Sequence, residues 1–184
     1  MKIHDKEFEL FIDEYELDDK ISEFANRITN EFEFGEPPVI LGVLDGSFRF
    51  LGDLAYHVAV ECEWSFIKLT SMDGTTSTGD VKQLIGLKND IKDKVVIIVE
   101  DIVDTGITIE HVVEELRKYK PREIRIMTLL FKPDAYKGKL VMNYIGFEIP
   151  NDFVVGYGLD YDGYGRGSND IYKLKENDDK RKYS

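Results

Sequence analysis

Apolar positions in this chain recur with two different periods, and stretches of each alternate along it. Behind Leu17-Asp18-Asp19, the residues Ile21, Phe24, Ala25, Ile28 and Phe32 fall on one face of a helix, which Gly35 and Pro37-Pro38 end. Val39–Leu44 is an apolar run of strand length, and Asp45-Gly46-Ser47 turns it into a second helix with Phe48, Leu51, Leu54 and Val58 inward. Glu63–Thr70 reads as a strand in which Trp64 and Phe66 alternate with polar neighbours. Val95 to Val99 are five β-branched residues in succession, the pattern of a strand buried on both faces. Ile109, Val112, Val113 and Leu116 then return to helical spacing. Ile124–Phe131 is the next strand, closed by Lys132-Pro133, and Val141–Phe147 and Phe153–Tyr157 read as shorter ones. This alternation predicts an α/β fold: one domain, with a mainly parallel twisted sheet flanked by helices.

Three stretches lack the apolar residues needed to anchor a core. Residues 71–80, Ser-Met-Asp-Gly-Thr-Thr-Ser-Thr-Gly-Asp, have the composition and length of a mobile lid. Residues 158–169 are rich in Gly, Asp and Tyr, and 173–184 form a charged, frayed tail behind a domain spanning 1–172. At 184 residues, such a domain buries roughly 70% of its unfolded surface without staples.

Charge narrows the partners. A formal net charge of −12 and a pI near 4.7 exclude nonspecific binding to nucleic acid or to an anionic membrane, which both need a basic face. A phosphorylated ligand must therefore be met locally, by backbone amides, a metal ion and a few placed cations. Cys62 is the single cysteine, so no internal disulfide forms, and it reads as a small core residue. Met1 leads straight into charged residues, and a cytoplasmic protein is expected.

The candidate chemistry sits where the β-branched run ends. Glu100, Asp101 and Asp104 crowd together there, and Thr105-Gly106-Ile107-Thr108 enters the following helix. In an open α/β sheet, ligands bind beyond the carboxyl ends of strands, and a helix N-terminus offers N–H groups to phosphate. Clustered acids repel unless a cation or hydrogen-bond donors join them. Acids beside a phosphate cradle fit a ribose phosphate with a bound magnesium ion. Competing motifs fail: Gly74 to Gly79 has P-loop spacing, but Asp80-Val81 replaces the required Lys and Ser/Thr. No Gly-x-Gly-x-x-Gly opens a helix, and His4, His57 and His111 are not paired at metal-ligand spacing.

Val99-Glu100-Asp101-Ile102-Val103-Asp104-Thr105-Gly106-Ile107-Thr108 resembles the phosphoribosyl pyrophosphate motif of type I phosphoribosyltransferases. Lys132, Gly146-Phe147-Glu148-Ile149-Pro150, Phe153 through Tyr161 and Arg166 resemble the hypoxanthine-guanine phosphoribosyltransferases, as do Leu44-Asp45-Gly46-Ser47 and Ser77-Thr78-Gly79-Asp80. The resemblance implies the type I phosphoribosyltransferase fold, with a small hood built by the terminal segments. It implies a purine-salvage enzyme that moves a phosphoribosyl group onto hypoxanthine or guanine, needs Mg2+, and assembles as a homodimer or homotetramer. A nucleotide sensor of the same fold and an enzyme preferring xanthine are the alternatives.

Carried over by position, Glu100 and Asp101 would bind the ribose hydroxyls and magnesium. Thr105, Gly106, Ile107 and Thr108 would hold the 5′-phosphate. Asp104 would be the base near the purine N7. Lys132, Phe153, Val154 and Asp160 would surround the purine, with Asp160 also a magnesium ligand. Asp45, Gly46 and Arg166 would meet pyrophosphate, in a loop whose Leu44-Asp45 peptide is often cis in the family. Ser71 and Met72 would open the lid. Two positions depart from the family pattern: Asp45 stands where a lysine is usual, and Met72 where the lid usually carries tyrosine.

Overall fold

The computed structural model describes residues 1–71, 81–85, 87 and 90–175. Met72 and almost all of the expected lid lie outside the described residues. In chain order the elements are β1 (Lys2–Ile3), β2 (Lys6–Ile12), α1 (Glu14–Phe32), β3 (Val39–Leu44), α2 (Phe48–His57), β4 (Glu63–Ser71) and β5 (Val81–Ile85). They continue with β6 (Val95–Val103), α3 (Ile107–Arg117), β7 (Glu123–Phe131), β8 (Tyr144–Glu148), β9 (Val154–Val155) and β10 (Ile171–Leu174).

Six strands form the main sheet in the order β5-β4-β3-β6-β7-β8. All neighbours pair in parallel except β5, which runs antiparallel on the edge beside β4. Strand order reverses between β3 and β6, since the chain leaves β3 toward β4 on one side and later resumes at β6 on the other. That switch point opens a crevice above the carboxyl ends of the two strands, the expected ligand position in such a sheet. The loop after β3 and the acidic stretch ending β6 both lie there.

The β-branched run works on two faces. Val95, Ile97 and Val99 join the core under α1 and α2, whereas Val96 and Ile98 join the core under α3. Strand side chains alternate, so one apolar run supplies both layers. Cys62 packs against the first of these cores, and burial pushes its thiol up to about 11, which keeps it from acting as a nucleophile.

A second, antiparallel sheet, β1-β2-β10-β9, joins the two ends of the chain. This is the expected hood, but β10 pairs Lys173 with Glu9 and Leu174 with Phe8. Ladder bonding thus continues through Leu174, two residues into the stretch read as a charged tail. β1 and β2 were not marked by the apolar pattern, since only one face of β2 is buried and Leu10 is exposed.

Three boundaries and one core position also differ, for local reasons. α1 begins one turn earlier than Leu17, because Asp13 caps it by accepting from Tyr15 N–H and Glu16 N–H at 3.0 Å each. On α2, Phe50 rather than Phe48 fills the core: at about 100° per residue, Phe48 falls off the arc shared by Phe50, Leu51 and Leu54. Val141 is exposed and outside β8. The Asn143 carboxamide oxygen accepts from Ile126 N–H at 2.8 Å just before the ladder starts. The strand expected over 153–157 is reduced to β9, because the backbone turns left-handed at Gly156 and Tyr157. Among the described residues, no helix is long and apolar enough to cross a membrane.

Candidate active site

The crevice is built from four chain segments that the sheet brings to one edge. β6 delivers Glu100 and Asp101, its following turn delivers Asp104 to Thr108, β3 delivers Asp45 and Gly46, and the segment after β9 delivers Asp160 and Arg166. Two adjoining cavities of about 260 and about 360 Å³ share Asp101, Ile102 and Asp104. The smaller runs along residues 100–109 to the start of α3. The larger also collects Gly46, Lys132, Phe153, Asp160 and Arg166. A cavity of about 400 Å³ lies elsewhere, between α1 and α2, outside the switch point where this sheet topology places ligands.

The smaller cavity has the features of an oxyanion site. Gly106 precedes α3 with φ +91°, a left-handed turn that glycine adopts at low cost. The helix then starts at Ile107, whose side chain is exposed. Its first N–H groups have no intrahelical acceptor, and the helix dipole adds positive potential in the same place. A tyrosine from the loop after β7 walls this turn, since a Cβ added at Gly106 would sit 2.4 Å from Tyr136.

The acids beside it sit in an unfavourable setting. Glu100 is buried, and among the described residues its Oε2 has no hydrogen-bond partner. Burial, and then the neighbouring Asp101, raise its carboxyl well above the usual range. Burial also lifts Asp101 from its ordinary 3.8 to about 6, although backbone N–H groups and Arg166 pull the other way. Among the described residues the buried Glu100 Oε2 therefore lacks a donor or a cation, and Asp101 beside it carries a charge that burial opposes. A sugar hydroxyl or a hydrated divalent ion supplies one, so these residues fit a magnesium site. Glu100, Asp101 and Asp160 do not converge as one cluster, because no group of three metal-ligating side chains forms among the described residues. A cation here would take further ligands from water and substrate, the usual habit of magnesium.

Two ion pairs place the remaining groups. Lys132 follows β7, is buried, and holds Asp104 at 2.9 Å. Its backbone N–H donates to Val103 O at 3.0 Å, which fixes its position beside the end of β6. Arg166 pairs with Asp160 at 2.7 Å and donates to Gly158 O at 2.6 Å. Asp160 also accepts from Gly163 N–H at 2.7 Å, so the Gly-rich segment is wound around these two side chains. Phe153 offers a half-exposed ring at the mouth, with Phe8, Tyr161 and Lys6 packed around it. Val154, the next residue, is buried in β9 and also lines the larger cavity.

The loop after β3 makes the closest approach in the site. The Leu44-Asp45 peptide is cis. A Cβ added at Gly46 would sit 1.7 Å from Asp101 Oδ2, and one added at Gly158 would sit 2.0 Å from Gly46 O. The loop is thus clamped between the acidic strand end and the Gly-rich segment. Asp45, the departure from the usual lysine, turns to Lys68 on β4. Ser71 ends β4 at the entrance to the expected lid. Sequence reasoning missed Lys68, Gly158, Tyr136 and the wall residues Ile102 and Leu159. Ile102 and Gly158 stood inside the recognised motifs, whereas nothing near Lys68 marked it.

Sheet order, switch-point crevice and phosphate turn together define a phosphoribosyltransferase, and residues 13–162 match the family model described as the phosphoribosyl transferase domain. Within that class, the chain belongs to the hypoxanthine-guanine phosphoribosyltransferase family. It is 38% identical to the hypoxanthine-guanine phosphoribosyltransferase of Bacillus subtilis, over 88% of this chain and 89% of that protein. It is 42% identical to the hypoxanthine phosphoribosyltransferase of Escherichia coli, over 83% of this chain and 87% of that one. A crystal structure of a hypoxanthine-guanine phosphoribosyltransferase from Bacillus anthracis superposes with a TM-score of 0.84 at 38% identity, covering 91% of this chain and 98% of that chain. A hypoxanthine phosphoribosyltransferase structure from Staphylococcus aureus gives 0.85 at 35% identity, covering 96% and 94%.

Proposed function

We propose that this chain transfers the 5-phosphoribosyl group from phosphoribosyl pyrophosphate to N9 of hypoxanthine, and of guanine, giving IMP or GMP and pyrophosphate in purine salvage. The observation carrying this reading is the Asp104–Lys132 pair, 2.9 Å apart, beside both the buried acids and the α3 phosphate turn. A 6-oxopurine needs a proton acceptor and a donor side by side, and that pair supplies both.

Thr105 to Thr108 hold the 5′-phosphate through backbone N–H groups and the two hydroxyls, which is why an apolar Ile107 can stand among them. Glu100 and Asp101 accept from the ribose hydroxyls and keep negative charge near the sugar as its anomeric carbon turns cationic. Lys132 donates to O6, Phe153 stacks on the ring, and Val154 meets the purine edge with its backbone. As the bond from the anomeric carbon to pyrophosphate breaks and the bond to N9 forms, Asp104 takes the proton that the base loses at N7. Arg166 pairs with the departing diphosphate. Glu100 and Asp101 beside the ribose, and Asp160 beside the diphosphate, would offer carboxylates to magnesium, which together with substrate oxygens would neutralise charge on the diphosphate.

A homodimer or homotetramer fits the exposed Phe48 and Tyr56 on α2. A cytoplasmic setting fits the lone, partly buried Cys62.

Initial rates on hypoxanthine, guanine and xanthine, with phosphoribosyl pyrophosphate and MgCl2, test the reading. Turnover of the first two is expected. Xanthine as the best substrate would reassign the base, and tight nucleotide binding without any turnover would make the protein a sensor.

The acids give a pH prediction. Between about 3.8 and about 6, folded Asp101 retains a proton that the unfolded chain has lost. This group's contribution to unliganded stability is therefore present at low pH and lost as pH rises through that window. A cation competes with the same proton. The rise in Tm on adding MgCl2 and phosphoribosyl pyrophosphate is expected to be smaller at about pH 5 than at about pH 7.5. Equal rises would remove Asp101 from the binding site.

A further inference from the structure

The pyrophosphate loop presents an electrostatic contradiction. Asp45 puts a carboxylate where the reading above brings a diphosphate, in a crevice that already holds Glu100, Asp101, Asp104 and Asp160. Among the described residues, the two cations lining it are engaged, Lys132 with Asp104 and Arg166 with Asp160. A further unscreened acid beside an incoming polyanion would cost affinity, because like charges at close range repel by amounts that change binding by orders of magnitude.

Lys68 resolves it. Its Nζ donates to Asp45 Oδ1 at 2.7 Å and to Oδ2 at 2.6 Å, so both carboxylate oxygens are held by one ammonium. The parallel register of β3 and β4 sets Leu44 beside Lys68. The two side chains therefore meet at the carboxyl edge of the sheet, one strand over from the crevice. The next residue, Gly46, is already wedged against Asp101 and lines the cavity with Arg166.

We propose that Lys68 is a positioning residue for the diphosphate subsite: by holding both oxygens of Asp45 it cancels and diverts the charge that this loop carries. Where the family's loop usually carries a lysine, this loop carries an acid held by a lysine of the neighbouring strand. Lys68 acts through Asp45 and does not itself touch the substrate. This rests on the phosphoribosyltransferase reading, so the test uses a ligand whose binding can be measured without turnover.

The experiment measures magnesium pyrophosphate affinity by calorimetry, and KM for phosphoribosyl pyrophosphate and for hypoxanthine, in wild type, Lys68→Met, Asp45→Asn and the double variant. Lys68→Met should weaken pyrophosphate binding and raise KM for phosphoribosyl pyrophosphate by about tenfold or more, with KM for hypoxanthine within about twofold. The double variant should recover to within about threefold of wild type, because removing the carboxylate removes the need for its partner. An unchanged Lys68→Met overturns the proposal. So does a double variant as impaired as Lys68→Met, which would make Lys68 a direct ligand of the diphosphate. Equal losses in both KM values, tracking a lower Tm, would make the pair a structural tie and also overturn it. Wild type that binds pyrophosphate but turns over no base would defeat the function reading alone, and the affinities would still decide the role of Lys68.

Discussion

Asp101→Asn is expected to lower kcat/KM by about two to three orders of magnitude while raising the Tm of the unliganded protein. The two effects have one cause. Burial makes the Asp101 carboxylate costly in the folded state, as its raised pKa near 6 records. A neutral isostere removes that cost at neutral pH, yet keeps the side-chain shape packed against Gly46. Catalysis loses the negative charge that steadies the sugar and a ligand for the cation. Glu100→Gln should move stability in the same direction, because its buried Oε2 lacks a donor among the described residues and its charge is opposed by burial and by Asp101. Steady-state kinetics and thermal denaturation of the same preparations decide this. A variant with lower Tm, or with near wild-type turnover, would show that these acids serve the fold and not the substrate.

Gly158→Ala carries the second large effect, through backbone geometry and not charge. At φ +100° a side chain is strained, and the new Cβ would meet Gly46 O at 2.0 Å. Backbone faces backbone there, with no flexible atom to yield. The pyrophosphate loop must move, and a displacement of about 1 Å at a reacting centre can cost about 100-fold in rate. Kinetics should show the loss mainly in KM for phosphoribosyl pyrophosphate and in kcat, with the base affinity less affected, because the atoms nearest the new Cβ belong to Gly46 and Arg49 and not to Lys132 or Phe153. Unaltered kinetics would mean that the loop and the Gly-rich segment are not clamped together in solution.

Part of this molecule is legible in its sequence. Val95 to Val99 could only be a strand covered on both sides, and three acids followed by Thr-Gly-Ile-Thr at its end marked the crevice. These signals are local: periodicity and turn chemistry act over a few residues, so a linear reading recovers them. Phe48 shows where such a reading falls short, since two residues of helical phase separate it from Phe50, which enters the core in its place. β2 shows another limit. Its strand character depends on a partner, β10, more than 150 residues away, at Ile12↔Ile171.

Sequence by itself determined the alternation of strands and helices, the acidic strand end with its phosphate turn, and the family motifs that name the chemistry. Only the tertiary structure decided how Asp45 is tolerated, because its answer is Lys68 on the adjoining strand, joined to it by parallel register. It likewise decided that Asp104 meets Lys132 and that Gly46 lies between Asp101 and Gly158. Ion pairs and close approaches join groups distant in sequence, and their partners are chosen by sheet order, which no single segment encodes.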